Sequence, residues 1–130
     1  MKVVDSSFCA DFLRGREYAK RYRLENTDET FVLPSIALYE LYFGAMKLGR
    51  DPTDIDRTLP WVDRLEYDRT HAIEGARIRN ELESNGQRIP HPDTMIAGVA
   101  RSLDVPVVTC DGDFDRVSEL TVENPRQSYR

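Results

Sequence analysis

Apolar residues fall in short continuous runs that alternate with stretches spaced for one face of a helix. Lys2-Val3-Val4 has the character of a short buried strand ending at Asp5, and Thr30-Phe31-Val32-Leu33 that of a second. Between them, residues 6–14 predict a helix, with Cys9, Phe12 and Leu13 at i, i+3 and i+4 and Gly15 as its stop. Residues 16–25 predict a polar helix. Pro34-Ser35 opens another that runs to about Leu48, and Asp51-Pro52 starts a short one through Leu59. Residues 62–67 alternate like a strand, 70–84 predict a helix closed by Asn85-Gly86, and 87–92 predict a loop with two prolines. A helix over 93–103 places Ile96, Val99, Ala100 and Leu103 on one stripe. An apolar strand over 105–109, a short helix over 113–118 and a last strand over 120–122 complete the pattern, with 124–130 as a loosely held tail.

Short strands that are apolar throughout, separated by helices, predict a parallel sheet buried on both faces. The expected fold is a Rossmann-like, three-layer α/β/α domain with a short, mainly parallel central sheet, and residues 1–130 form one domain. Ligands in such folds bind beyond the carboxyl ends of the strands. Asp5 and Asp111 both stand just past such ends, Asp93 stands at a helix N-terminus, and Glu40 stands inside a helix.

Composition narrows the class. The chain is 40% apolar and 32% charged, as a soluble globular protein is, and nothing approaches the apolar length of a membrane span. Strand character in the first five residues leaves no room for a signal peptide. Cys9 and Cys110 lack metal-site or redox spacing; buried free thiols are expected, which fits the cytoplasm. A net charge of −5 argues against a general nucleic-acid coat. Of 18 basic residues, 15 are Arg, the better residue for bidentate phosphate contacts, although surface ion pairing accounts for that bias without any ligand.

Four acidic residues stand alone in apolar or small-residue settings: Asp5, Glu40, Asp93 and Asp111. A carboxylate buried without a partner is expensive, and four that converge would repel unless a divalent cation joined them. Glu40 is the only charge between Ile36 and Met46, with Ile36 and Phe43 on its face; a Glu snorkelling to solvent at the helix edge is the bland account, and the functional reading is favoured over it. Asp5 and Asp93 each stand where a helix cap would, which accounts for either singly. Asp111-Gly112 has turn character, but 113–117 lack the alternation of a hairpin strand. An EF-hand loop fails for want of Gly at its sixth position (Arg116) and Glu at its twelfth (Val122). Asp113 is either a fifth member or solvated. His71 and His91 fit no ligand pattern, and His71 is expected at the surface. There is no phosphate loop and no nucleophile elbow. Asp5-Ser6-Ser7 departs from the Asp-x-Asp of haloacid-dehalogenase phosphatases.

The chain resembles the PIN domain, and within it the VapC-type toxin ribonucleases, from Met1 to about Val122. The resemblance rests on Val3-Val4-Asp5-Ser6-Ser7-Phe8, on Pro34-Ser35-Ile36-Ala37-Leu38-Tyr39-Glu40-Leu41, on Pro92-Asp93-Thr94-Met95-Ile96-Ala97 and on Val107-Val108-Thr109-Cys110-Asp111-Gly112-Asp113-Phe114. Each stretch is short, and their order and spacing together are specific. The family's four acidic positions match Asp5, Glu40, Asp93 and Asp111, and Asp113 matches a further, variable one.

The resemblance implies a PIN-like fold, an RNA substrate cut to 5′-phosphate and 3′-hydroxyl ends, Mg²⁺ or Mn²⁺, a homodimer and a VapB-type antitoxin. All the candidate ligands are oxygens, which suits Mg²⁺ or Mn²⁺ over zinc. Asp5, Asp93 and Asp111 are the expected ligands, with Glu40 binding metal or orienting the attacking water. Ser6 and Thr109 are expected to hold carboxylates by hydrogen bonds. Arg14, Arg16 and Arg88 are candidate phosphate contacts. Crowding predicts raised carboxylate pKa values in the metal-free site. The helix around Leu41, Tyr42 and Met46 is a candidate dimer or antitoxin contact. Two other functions fit the same fold: a PIN nuclease of RNA processing or turnover without an antitoxin, and an inactive PIN-fold binding module. The intact acidic set argues against the second.

Overall fold

The computed structural model describes residues 1–129. Five strands, β1 (Lys2–Val4), β2 (Phe31–Pro34), β3 (Val62–Leu65), β4 (Val107–Val108) and β5 (Val122–Glu123), form one sheet in the order β3-β2-β1-β4-β5. Each neighbouring pair is parallel, and Val3 is flanked by Val32 on one side and Val107 on the other. Among the described residues, seven helices cover this sheet in a three-layer α/β/α arrangement: α1 (Ser6–Leu13), α2 (Glu17–Glu25), α3 (Ser35–Lys47), α4 (Thr53–Thr58), α5 (Arg69–Ser84), α6 (His91–Leu103) and α7 (Pro125–Ser128). The chain fills one side of β1 first and then crosses to the other. The carboxyl ends of β1 and β4 therefore flank the point where strand order reverses, where such sheets bind ligands.

The central strands are apolar because both their faces are covered. Val3, Val4, Phe31, Leu33, Val107 and Val108 are buried. β3, an edge strand, is only half-buried and exposes the consecutive Asp63 and Arg64, so its polarity reflects its place at the edge of the sheet and not a simple alternation. A cluster of aromatic rings backs β1 and β2: Phe8 meets Tyr18, Tyr22 and Trp61 edge-on, and Trp61 meets Phe31.

Several expectations are corrected. α6 begins at His91 and not at Asp93, since Pro92 sits in the first turn, where its missing N–H costs nothing. Asp93 is thus the third residue of that helix and not its cap. His71 is buried, not at the surface: its Nδ1 accepts from the Asp68 backbone N–H at 3.1 Å while Asp68 caps α5 through the His71 N–H. β4 is two residues long, although the Pro106 carbonyl still accepts from Val3 N–H at 2.9 Å. The last strand starts at Val122 and not at residue 120. The tail is not loose over its described part. α7 buries Pro125, pairs Arg126 with Asp11 and packs Tyr129 on Tyr22; Arg130 lies outside the described residues.

α5 and α6 meet through glycine. A Cβ added to Gly98 would fall 2.6 Å from Gly75 N and 2.7 Å from its Cα, so the two backbones touch there. The Gly98→Ala variant must wedge apart the pair that carries Asp93, and it should lose about 1–3 kcal/mol of stability, as overpacked cores do. Gly44, also helical, has open space around its Cβ position, and Gly44→Ala should gain about 0.5–1 kcal/mol. Thermal unfolding of the two variants checks this, and a Gly98→Ala protein as stable as wild type would refute the close approach.

Candidate metal centre

Asp5 leaves β1 with extended backbone and caps α1, its Oδ1 accepting from Phe8 N–H at 3.1 Å. It is only 2% exposed. Thr109 Oγ1 donates to its Oδ2 at 2.5 Å, and Ser7 Oγ lies 2.9 Å from both oxygens. The two hydroxyls also accept from the chain beyond β4: Ser7 from Cys110 N–H at 3.1 Å and Thr109 from Asp111 N–H at 3.0 Å. Five groups from two crossing points of the chain thus lock together at the switch point.

Asp111 caps a short 3-10 turn, Gly112–Arg116, by accepting from Asp113 N–H at 2.9 Å. That turn swings Asp113 back toward Asp93 in the first turn of α6. One oxygen each of Asp93, Asp111 and Asp113 lies within 4.8 Å of the others. Glu40, half-buried on α3, accepts from Ser6 Oγ at 2.9 Å. Its charge, with those of Asp111 and Asp5, is felt at Asp93.

Burial pushes Asp5 up to about 6 from the usual 3.8, against the opposing bonds from Thr109, Phe8 and Ser7, with the Asp111 charge adding to the rise. Asp93 is pushed up to about 7, first by burial and then by the charges of Asp111, Glu40 and Asp5. The positive end of α6 ought to favour its ionised form, so burial and crowding together outweigh the helix end. A buried carboxyl raised further by the charges of its acidic neighbours, with only oxygen donors in reach, suits a hard divalent cation. Zinc, which favours nitrogen and sulfur, would find no His or Cys in the group of three.

The four sequence-predicted acids converge on this rim. Ser6 and Thr109 each hold one of them, Glu40 and Asp5 respectively. The arginines scatter. Arg14 lines a groove of about 750 Å³ that begins at Ser6, Ser7 and Glu40 and runs between α1, α3 and α4. Arg16 caps α2 outside that groove, and the Arg88 side chain turns to Glu83 at 3.8 Å. Sequence reasoning missed Ser7, although a hydroxyl two residues past a capping Asp is placed to bond it. It also missed Arg116, 3.3 Å from Asp113, and the groove arginines Arg50 and Arg126.

The profile of the PIN domain matches residues 2–120. The tRNA(fMet)-specific endonuclease VapC of Shigella flexneri is 30% identical over 126 residues, covering 94% of this chain and 96% of that protein. Ribonuclease VapC21 of Mycobacterium tuberculosis is 33% identical over 110 residues, covering 79% of this chain and 78% of that protein. DNA-bound VapBC from Salmonella typhimurium superposes with a TM-score of 0.84 at 29% identity, covering 95% of this chain and 97% of that one.

Both shifts are upward, so protonation favours the folded form. The contribution is fully present below the usual carboxylate value and is lost as pH rises through about 6 for Asp5 and about 7 for Asp93. In chelator, the melting temperature should fall between about pH 4 and about pH 7 and level off above, each pK unit being worth about 1.4 kcal/mol. Asp93→Asn should flatten the upper part of that fall, and saturating Mg²⁺ should restore most at the alkaline end. A melting temperature that rises over this range in chelator would contradict the crowding.

Proposed function

This chain belongs to the PIN domain family, and from that premise we propose that it is a divalent-metal-dependent endoribonuclease that hydrolyses RNA phosphodiester bonds as the toxin of a VapBC-type pair. It is a VapC-type ribonuclease by relationship. The observation that carries the metal reading is the set of Asp93, Asp111 and Asp113 oxygens within 4.8 Å of one another beside the buried Asp5.

Asp5, Asp93 and Asp111 are the proposed ligands, with Asp113 the further oxygen. A carboxylate offers about four acceptor sites. Phe8 N–H, Thr109 and Ser7 use three on Asp5, which leaves one directed elsewhere. Mg²⁺ or Mn²⁺ held here would supply a polarised water and a counter-charge for the phosphodiester oxygens. Glu40 is bonded to Ser6 through Oε1 and keeps Oε2 for the attacking water, whose proton it would accept. Ser7 and Thr109 fix the Asp5 carboxylate so that no reorganisation is needed when substrate arrives. Arg14, Arg50 and Arg126 line the adjoining groove and offset the acidic rim for an RNA backbone.

A VapB-type antitoxin is the proposed partner, since solved relatives are VapBC complexes. The groove beside Glu40, with Leu41, Ala45 and Ile55 in its lining and arginines at its edge, is where such a partner would block the site. A homodimer is proposed as well. Of the expected contact around Leu41, Tyr42 and Met46, the buried Leu41 lines the groove, whereas the outward apolar face of α3 is Tyr39, Phe43 and Met46, 55–68% exposed.

Structured RNA incubated with wild type should be cut with Mg²⁺ and left whole in chelator. Asp5→Asn should lose cleavage by at least about 10²-fold, the scale of a lost metal or its outer partners, while its near-UV spectrum stays native. Metal-independent cutting, or full activity in the variant, would sink the reading.

A further inference from the structure

One carboxylate outside the acidic cluster is nearly as buried as Asp5. Asp11, on α1, is 4% exposed and is the only charged residue of that helix. One oxygen is doubly hydrogen-bonded and the other faces a guanidinium. The Tyr18 hydroxyl and Arg126 Nη2 both donate to Oδ2, the latter at 2.5 Å, and Arg14 Nη1 stands 3.6 Å from Oδ1. Burial pushes its pKa up, but Tyr18, Arg126 and Arg14 more than reverse that and hold Asp11 below the usual carboxylate range. An acid so neutralised by two guanidinium groups draws a further cation far less than the open acidic cluster does.

Its second contact points to a different role. The Tyr18 oxygen lies 2.7 Å from Cys110 Sγ. The single hydroxyl proton goes to Asp11, so the thiol donates to the Tyr18 oxygen. Cys110 stands between Thr109, which holds Asp5, and Asp111, which belongs to the group of three. Its own N–H is held by Ser7. Arg126 closes the arrangement from α7, stacking 5.8 Å over the Tyr18 ring while it pairs with Asp11. A continuous set of contacts therefore runs from the C-terminal helix through Asp11 and Tyr18 to the residue beside Asp111.

We propose that Asp11, acting through Tyr18 on Cys110 and locked by Arg126, is a positioning residue that sets Asp111 at the spacing a cation needs. The proposal rests on the metal-centre reading above. It predicts a defect in metal affinity, which a merely structural ion pair on α1 would not produce once the protein is folded.

Tyr18→Phe is the cleanest variant, because it keeps the ring against Phe8 and under Arg126 and removes only the hydroxyl. Mn²⁺ binding to the RNA-free protein, read by electron paramagnetic resonance, should weaken about threefold to tenfold, less than the roughly 10–100-fold lost with a group that touches a ligand directly. Cleavage at saturating Mn²⁺ should stay near wild type while the half-saturating Mn²⁺ concentration rises by the same factor. Arg126→Met should weaken Mn²⁺ binding in the same direction, and Arg126→Lys should restore part of it; this pair decides the matter should Tyr18→Phe not fold. Folded Tyr18→Phe, or failing it both Arg126 variants, binding Mn²⁺ as wild type does would overturn the proposal alone. Wild type that binds no Mn²⁺ would instead overturn the metal reading beneath it.

Discussion

Thr109 reaches across the gap between β1 and β4 to donate a 2.5 Å hydrogen bond to Asp5, and the geometry of the rim follows from it. The same Asp5 caps α1, and the same Thr109 oxygen accepts from Asp111 N–H. One buried contact thereby ties together the end of the first strand, the start of the first helix and the turn that aims Asp111 and Asp113. Desolvating an ionised carboxylate is costly, and the Asp5 site is tolerable because three donors meet it. A parallel sheet makes this possible, since adjacent strands deliver their carboxyl ends to one side. Nothing comparable would arise if β4 ran the other way.

Those donors do not fully compensate the burial. The rises at Asp5 and Asp93, from burial first and then from neighbouring acidic charge, mean that the metal-free fold disfavours their ionised forms. The close approach of α5 and α6 at Gly75 and Gly98 resists relaxation, because α6 cannot drift while its backbone touches its neighbour. Rigid packing around a repulsive cluster is how a protein keeps a site ready for a cation that is not always there, at some expense in stability.

Much of this was legible along the chain wherever periodicity was strong. β1, β2, α1 and α3 stand close to their expected limits because apolar runs and helical spacing agree there. Limits set by tertiary pairing were not legible. Where β5 starts depends on what β4 offers it, and His71 is buried by a capping bond that its own neighbourhood does not announce. The four acids were found through their order along alternating strands and helices. Ser7 was not, although its bond to Asp5 is local, and Asp11 was not because its decisive partner, Arg126, lies more than a hundred residues away in the chain. α7 escaped for the same reason: a short polar tail has no helical signature until Pro125 is buried and Arg126 finds Asp11 and Tyr18.

Asp11 and Glu40 show what a lone acid in an apolar helix does and does not mean. By sequence they are alike, each the single charge of an apolar segment. Asp11 meets two guanidinium groups and a phenol, which neutralise it within the protein. Glu40 meets one serine and, beyond it, other carboxylates. The first arrangement is closed electrostatically; the second is left open to a positive charge from outside. With a net charge of −5 on the whole chain, that opening cannot attract RNA by itself. A polyanion approaches an acidic rim only when a cation already sits there or when nearby arginines outweigh it locally. Arg14 and Arg126 stand at that border, and both are partly held by Asp11. Under the proposed reading, Asp11 therefore also sets how much of the groove's positive charge is left to meet a phosphate.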